Sequence, residues 1–143
     1  MQQDPTTTTT AGQPGAALSV LVVDDDAFSQ EVFRKSLTHW GIRHIHTAGD
    51  GREGMQVLAG LNPPPDFLIC DIFMPDMDGI EFVGALARQH YQGGLILVTG
   101  SNNDMLDVAR EIATLSGLNL RGVFVKPLLK QALGEAMGLV AEA

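Results

Sequence analysis

From Leu18 onward, short apolar runs alternate with longer amphipathic stretches, a pattern that predicts an α/β fold built on a parallel sheet. The segments Ser19-Val20-Leu21-Val22-Val23, Phe67-Leu68-Ile69-Cys70, Leu95-Ile96-Leu97-Val98 and Val123-Phe124-Val125 are apolar and rich in β-branched residues, as in strands covered on both faces. All four are expected to be interior or nearly so. Ile42-Arg43-His44-Ile45-His46-Thr47 mixes apolar with polar positions, which predicts a partly exposed edge strand, the second of five. Helical stripes lie between: Phe28, Val32, Phe33, Leu37 and Trp40; Phe82, Val83, Leu86 and Ala87; Val108, Ala109, Ile112 and Leu115; Leu129, Ala132, Leu133, Ala136 and Val140. A shorter helix over 54–61 is ended by Asn62 and the run Pro63-Pro64-Pro65. Right-handed crossovers wind these five βα units into a doubly wound parallel sheet, which places its sites beyond the carboxyl ends of the strands.

Composition narrows the classes. The 143 residues allow one domain and leave little room for a second. Residues 1–17, MQQDPTTTTTAGQPGAA, carry no large apolar side chain after Met1 and are expected to form a disordered tail, with a single folded domain over 18–143. Nine Lys and Arg against 17 Asp and Glu give a formal charge of -8, the wrong sign for binding a phosphate backbone, so direct DNA binding is not expected. One Cys excludes an internal disulfide framework and any site built on several thiolates. No run is long and apolar enough to span a bilayer, and no secretory signal opens the chain, so the expected location is cytoplasmic, without membrane contact.

The carboxyl ends of the predicted strands carry Asp24-Asp25-Asp26, Asp71, Thr99-Gly100-Ser101 and Lys126-Pro127. Carboxylates gathered at one end of a sheet repel one another and call for a compensating cation. Oxygen-ligated Mg²⁺ is the natural candidate, since it is held by one or two carboxylates beside a phosphate and keeps some of its waters. A strand-end Asp next to such an ion can be a nucleophile toward phosphorus, and Asp71 is placed for that. The transfer itself needs in-line positioning and neutralisation of the equatorial oxygens, which Mg²⁺, Lys126 and the Thr99 hydroxyl would supply. Gly100 beside Thr99 leaves room for the group to approach.

VLVVDDD at 20–26, FLICDIFMPDMDG at 67–79, LILVTG at 95–100 and VFVKP at 123–127 together resemble a response-regulator receiver domain, of the chemotaxis-regulator type. The resemblance runs from Leu18 to about Val140 and implies a flavodoxin-like sheet of order 2-1-3-4-5. It further implies that Asp71 accepts a phosphoryl group from a sensor histidine kinase or a histidine phosphotransfer protein. Asp25 would ligate Mg²⁺ directly, Asp24 through water, Asp71 with its own carboxylate, and Phe73 through its backbone carbonyl; Thr99 and Lys126 would contact the phosphoryl oxygens. The Lys126-Pro127 bond would be cis, as is common in that family. Asp26 has no chemical role in the pattern and is read as a cap of the first helix. Beyond phosphoryl uptake and slow self-hydrolysis no enzymatic activity is implied.

Two positions depart from the family. An aromatic residue that follows the Thr hydroxyl often stands where this chain has Val123, and Phe124 should point to the opposite face of the sheet, so it is a poor substitute. Phe73 is bulky and apolar where the family's side chain covers the phosphoryl group, and is expected to slow hydrolysis of phospho-Asp71. Competing motifs are weaker. Gly49-Asp50-Gly51-Arg52-Glu53-Gly54 matches a dinucleotide fingerprint, but the strand before it is polar, and a turn with a helix start explains it. A flavin phosphate loop would not carry three Asp. His39, His44, His46 and His90 lack paired ligand spacing, Cys70 sits inside an apolar strand as a buried inert thiol, and Asp78 is a candidate cap of the third helix.

The last helix follows directly on Lys126-Pro127, so the chain reads as a stand-alone receiver whose effector is another molecule. Phosphorylation is expected to draw the Thr99 loop toward Asp71 and change the surface of the fourth helix, fifth strand and fifth helix. That face would meet an unknown downstream protein or a second copy as a homodimer; Gly134 and Gly138 permit close approach. The alternative is a degenerate receiver that binds partners without being phosphorylated. The long segment 102–122 also looks similar to receivers attached to cyclic-dinucleotide phosphodiesterase modules.

Overall fold

The computed structural model describes residues 17–72, 79–100 and 104–139. Five parallel strands and five helices alternate along them: β1 (Ser19–Val23), α1 (Ala27–His39), β2 (His44–Ala48), α2 (Gly51–Gly60), β3 (Phe67–Asp71), α3 (Gly79–Arg88), β4 (Gly94–Thr99), α4 (Asp104–Leu115), β5 (Asn119–Val125) and α5 (Lys130–Ala136). The sheet order is β2-β1-β3-β4-β5. This is the doubly wound sheet of order 2-1-3-4-5 expected above. No helix among the described residues is long and apolar enough to cross a membrane. Phe73, Asp78, Val140 and residues 1–16 lie outside the described residues.

Alternation along each strand sends consecutive side chains to opposite faces, so the apolar runs fill two separate cores. Leu21, Val23, Leu68, Cys70, Leu95 and Leu97 pack with Leu58, Phe82, Leu86, Leu106 and Ala109 from α2, α3 and α4. Val20, Val22, Ile69, Ile96 and Val98 pack with Phe33, Leu37, Leu133 and Met137 on the α1 and α5 side. Full burial of one such side chain contributes about 1.5–3 kcal/mol, and both faces of β1, β3 and β4 are lined this way.

Several expectations are corrected. β5 is not interior: it is the second edge strand, with at best half-buried positions. It also begins at Asn119, four residues before the apolar run, because its first half pairs with β4 through a bulge. Leu95 faces Leu120 but Ile96 faces Gly122, so Arg121 is the extra residue. The excess length in 102–122 is absorbed by this longer strand and by the twelve residues of α4. Within α4 the buried face is Leu106, Ala109 and Ala113, whereas Val108 and Leu115 are exposed. In α1, Phe33 and Leu37 are buried, but Phe28 is 75% exposed. Leu129 is exposed as well, in the turn that opens α5.

Gly134 does not await a partner molecule. A Cβ there would lie 2.6 Å from the Trp40 ring, so this glycine lets α5 close onto the end of α1. The Trp40 indole N–H donates to the Lys130 carbonyl at 2.8 Å across the same junction. Gly138 has φ of +76°, a left-handed conformation that ends α5.

Candidate functional site

The carboxyl ends of β1, β3, β4 and β5 bring the predicted chemistry to one place. Asp24 follows β1, Asp71 ends β3, Thr99 ends β4 and Lys126 follows β5. Register explains the convergence: Val23 pairs with Cys70, Asp71 with Val98 and Thr99 with Val125, so the strands finish almost level. Asp24 and Thr99 are fully buried and Asp71 is 5% exposed, while Asp25 faces solvent.

Lys126 provides the local positive charge. Its ammonium donates to Asp24 Oδ2 at 2.8 Å, to Asp71 Oδ2 at 3.1 Å and to Ser29 Oγ at 3.1 Å. Burial alone would push the Lys126 pKa down, but hydrogen bonds and charge from Asp24 and Asp71 outweigh it and hold the group above its ordinary value. The Lys126-Pro127 peptide is cis, as the family resemblance implied. The Lys126 amide donates to the Thr99 carbonyl at 2.7 Å, which keeps the β4 and β5 ends together.

The loop after β1 is fixed from its own sequence. The Asp26 amide donates to Asp24 Oδ1 at 2.9 Å, a local turn that aims the buried carboxylate. Asp26 caps α1, as expected, accepting from the Phe28 amide at 3.2 Å. The Ser29 hydroxyl donates to Asp26 Oδ2 at 3.0 Å. That hydroxyl and then the Phe28 amide hold the Asp26 pKa below its usual value. The Gln30 amide group donates to the carbonyls of Asp24 and Ala48, pinning α1 to the ends of β1 and β2.

Asp24, Asp25 and Asp71 each offer a carboxylate oxygen, and these atoms lie within 4.8 Å of one another. Three hard oxygen donors, one of them open to solvent, suit Mg²⁺ with its retained waters. On the α4 side, Val123 packs in the α2-α3-α4 core and Phe124 in the α1-α5 core, so Phe124 does not stand in for a switch aromatic. Beside Gly100 there is open space, with nothing within 4 Å of where a Cβ would stand.

The chain matches the response regulator receiver domain model over residues 20–137. It belongs to that family. The receiver is 39% identical over 125 residues to a probable chemotaxis protein CheY of Rhizobium etli, covering 86% of this chain and 92% of the relative. It is 31% identical over 121 residues to a probable C4-dicarboxylate response regulator DctR of Halalkalibacterium halodurans, covering 84% of this chain but only 50% of the relative. Among solved structures, the chemotaxis protein CheY4 of Vibrio cholerae superposes with a TM-score of 0.70 at 26% identity, covering 87% of this chain and 100% of that one. CheY in a CheX-CheY-BeF3-Mg complex from Borrelia burgdorferi gives 0.75 at 24% identity, covering 91% and 99%.

Elsewhere the receiver's secondary motifs resolve as ordinary structure. Asp50 caps α2 by accepting from the Glu53 amide at 2.7 Å, and Glu53 in turn accepts from the Gly49 amide at 2.7 Å. Gly54 packs against Val23 and Phe82. The fingerprint-like glycines therefore make a capped helix start beside an edge strand. His39, His44 and His90 are exposed, His46 is half-buried, and Cys70 is buried. Among the described residues, the acidic trio is the one cluster of metal-ligating side chains.

Ser29 and Gln30 were missed from sequence. Ser29 could have been found: once Asp26 is the cap, the third helical residue is the one that reaches back to it.

Proposed function

We propose that the protein is a phosphorylation-driven switch of a two-component or phosphorelay system, with Asp71 as phosphoacceptor. The observation that carries this reading is the Lys126 ammonium shared by two buried carboxylates, one of them on the central strand β3, beside a fully buried Thr99. An Asp71 carboxylate oxygen forms a bond to phosphorus while the phosphorus–nitrogen bond of a phosphohistidine donor breaks and its electron pair returns to the imidazole. Lys126 swings from the Asp71 carboxylate to the phosphoryl oxygens, and the Thr99 hydroxyl donates to another. Asp24, Asp25 and Asp71, with the Phe73 carbonyl, would hold Mg²⁺, which supplies charge neutralisation for the phosphoryl oxygens when bound.

Recruitment of Thr99 would pull on the loop between β4 and α4. Exposed Val108 and Leu115 on α4 and half-exposed Val125 on β5 support an output face there, for a downstream protein or a second copy.

Incubation with acetyl phosphate and Mg²⁺, read by intact mass, is expected to add one phosphoryl group to the wild type and none to Asp71→Ala. An unmodified wild type would leave the phosphorylation-independent binding module as the reading. Phe73→Asn is expected to shorten the lifetime of the phosphorylated form, measured as loss of that mass after the donor is removed; an equal or longer lifetime would refute the shielding role of Phe73.

A further inference from the structure

We propose that Ser29 is a positioning residue for phosphoryl transfer, acting through Lys126. The inference rests on the phosphoacceptor reading of Asp71 and goes beyond it, since Ser29 touches neither carboxylate of the Lys126 pair and has no part in the acceptor chemistry itself.

An ammonium has three protons, and Lys126 places them on Asp24, Asp71 and Ser29. The first two partners are buried carboxylates. The third is a hydroxyl whose own proton is committed: Ser29 donates to Asp26 Oδ2 at 3.0 Å, which leaves its lone pairs for Lys126. The direction of the chain is thereby fixed, from Lys126 through Ser29 to Asp26. Asp26 is in turn held by the Phe28 amide at the start of α1, so the anchor belongs to the helix rather than to a free side chain.

A flexible lysine held by two carboxylates at the moment of transfer faces a conflict. Once Asp71 bonds to phosphorus, the oxygen that Lys126 grips becomes part of the acyl phosphate and carries less charge. The contact to Ser29 does not change during the reaction. It gives the ammonium a pivot, so that only the bond to Asp71 has to be exchanged for one to a phosphoryl oxygen. Fixing the cation before the reaction spares reorganisation when charge develops on the transferring group.

Thr and Val have the same shape and differ by one hydroxyl, so they separate the hydrogen bond from packing. Phosphorylation by acetyl phosphate at fixed Mg²⁺ is followed by intact mass in wild type, Ser29→Thr and Ser29→Val, with thermal melting alongside. Ser29→Val is expected to slow phosphorylation about three- to tenfold, the scale of losing one charge-assisted hydrogen bond at a partly exposed site, while Ser29→Thr stays within about twofold of wild type. In the metal-free protein the Lys126 ammonium signal in ¹H–¹⁵N spectra is expected in wild type and Ser29→Thr and to broaden in Ser29→Val. Equal rates for the Thr and Val variants, or an ammonium signal unchanged in Ser29→Val, would overturn the proposal. A wild type that takes up no phosphoryl group would overturn it together with the phosphoacceptor reading, whereas a wild type that is phosphorylated no faster than Ser29→Val would sink the Ser29 role alone.

Discussion

Buried polar groups in this receiver divide into those gathered at the carboxyl end of the sheet, to which the chemistry is proposed to belong, and those that hold the frame. Tyr91 belongs to the frame: its hydroxyl donates to the Pro65 carbonyl at 2.9 Å, at the end of the sheet far from Asp71. Burial, and then the charge of Asp66, push its pKa up from 10.0. The folded state therefore holds the phenol proton more tightly than the unfolded chain does. The stability this contributes is complete below pH 10 and is lost as the pH climbs from there toward the raised folded value. Tyr91→Phe is expected to be less stable than wild type by about 1 kcal/mol at pH 7, for the lost hydrogen bond. Above pH 10 that gap should narrow, because only wild type then has a phenol that ionises on unfolding. Urea titrations of both proteins at pH 7 and pH 11 test this, and a gap that widens with pH would refute it.

Helices and strands were legible where their pattern is regular and illegible where a single residue breaks it. β1, β3 and β4 follow from uninterrupted apolar runs, and the acids and hydroxyl of the site follow from standing at the ends of those runs, as Lys126 does from following the apolar second half of β5. The start of β5 could not be read in the same way. Leu120 and Val123 face the same core although they stand three positions apart, because the bulge at Arg121 shifts the alternation by one. Exposure of Phe28 and Val108 was hidden for another reason: periodicity marks a stripe, not which edge of it meets the sheet. Gly134 was legible as small but not as to what it accommodates. A methyl group there would overlap the Trp40 ring. Overpacking costs about 1–3 kcal/mol. The better helix propensity of Ala returns at most about 1 kcal/mol, so Gly134→Ala is expected to be about 1–2 kcal/mol less stable than wild type. Denaturant midpoints at constant slope provide the check, and a more stable variant would show that α5 can shift away from α1 at no cost.

At the scale of the whole molecule, the phosphoacceptor role proposed for Asp71 requires that a donor reach it from outside. On that proposal a phosphohistidine would enter at the carboxyl end of the sheet, and its docking surface would adjoin that opening. Phe28, Val32, Phe33, Pro127 and Leu128 line a groove of about 270 Å³ there, with Lys126 and Ser29 on its wall. Phe28 and Val32 are exposed at this groove while Phe33 and Leu128 are buried, so Phe28, the most exposed of the four, is where a docking donor would find an apolar anchor. Phe28→Ala is therefore expected to slow transfer from a phosphohistidine protein at least about tenfold, the loss typical of an interface anchor. Uptake from acetyl phosphate should be unchanged, because a small donor needs no docking surface. Equal slowing with both donors would place Phe28 in the acceptor chemistry instead.

The sheet has one more effect, on what can be observed. The chain's single Trp, Trp40, packs against α5 on one side of the sheet, and the expected rearrangement of Thr99 and α4 lies largely on the other. Intrinsic emission is therefore a reporter of one layer only, well suited to following the α1–α5 junction and blind to α4. A probe introduced at exposed Val108 would give the opposite layer its own signal, and the two together would time the arrival of the phosphoryl group's influence on each side of the sheet.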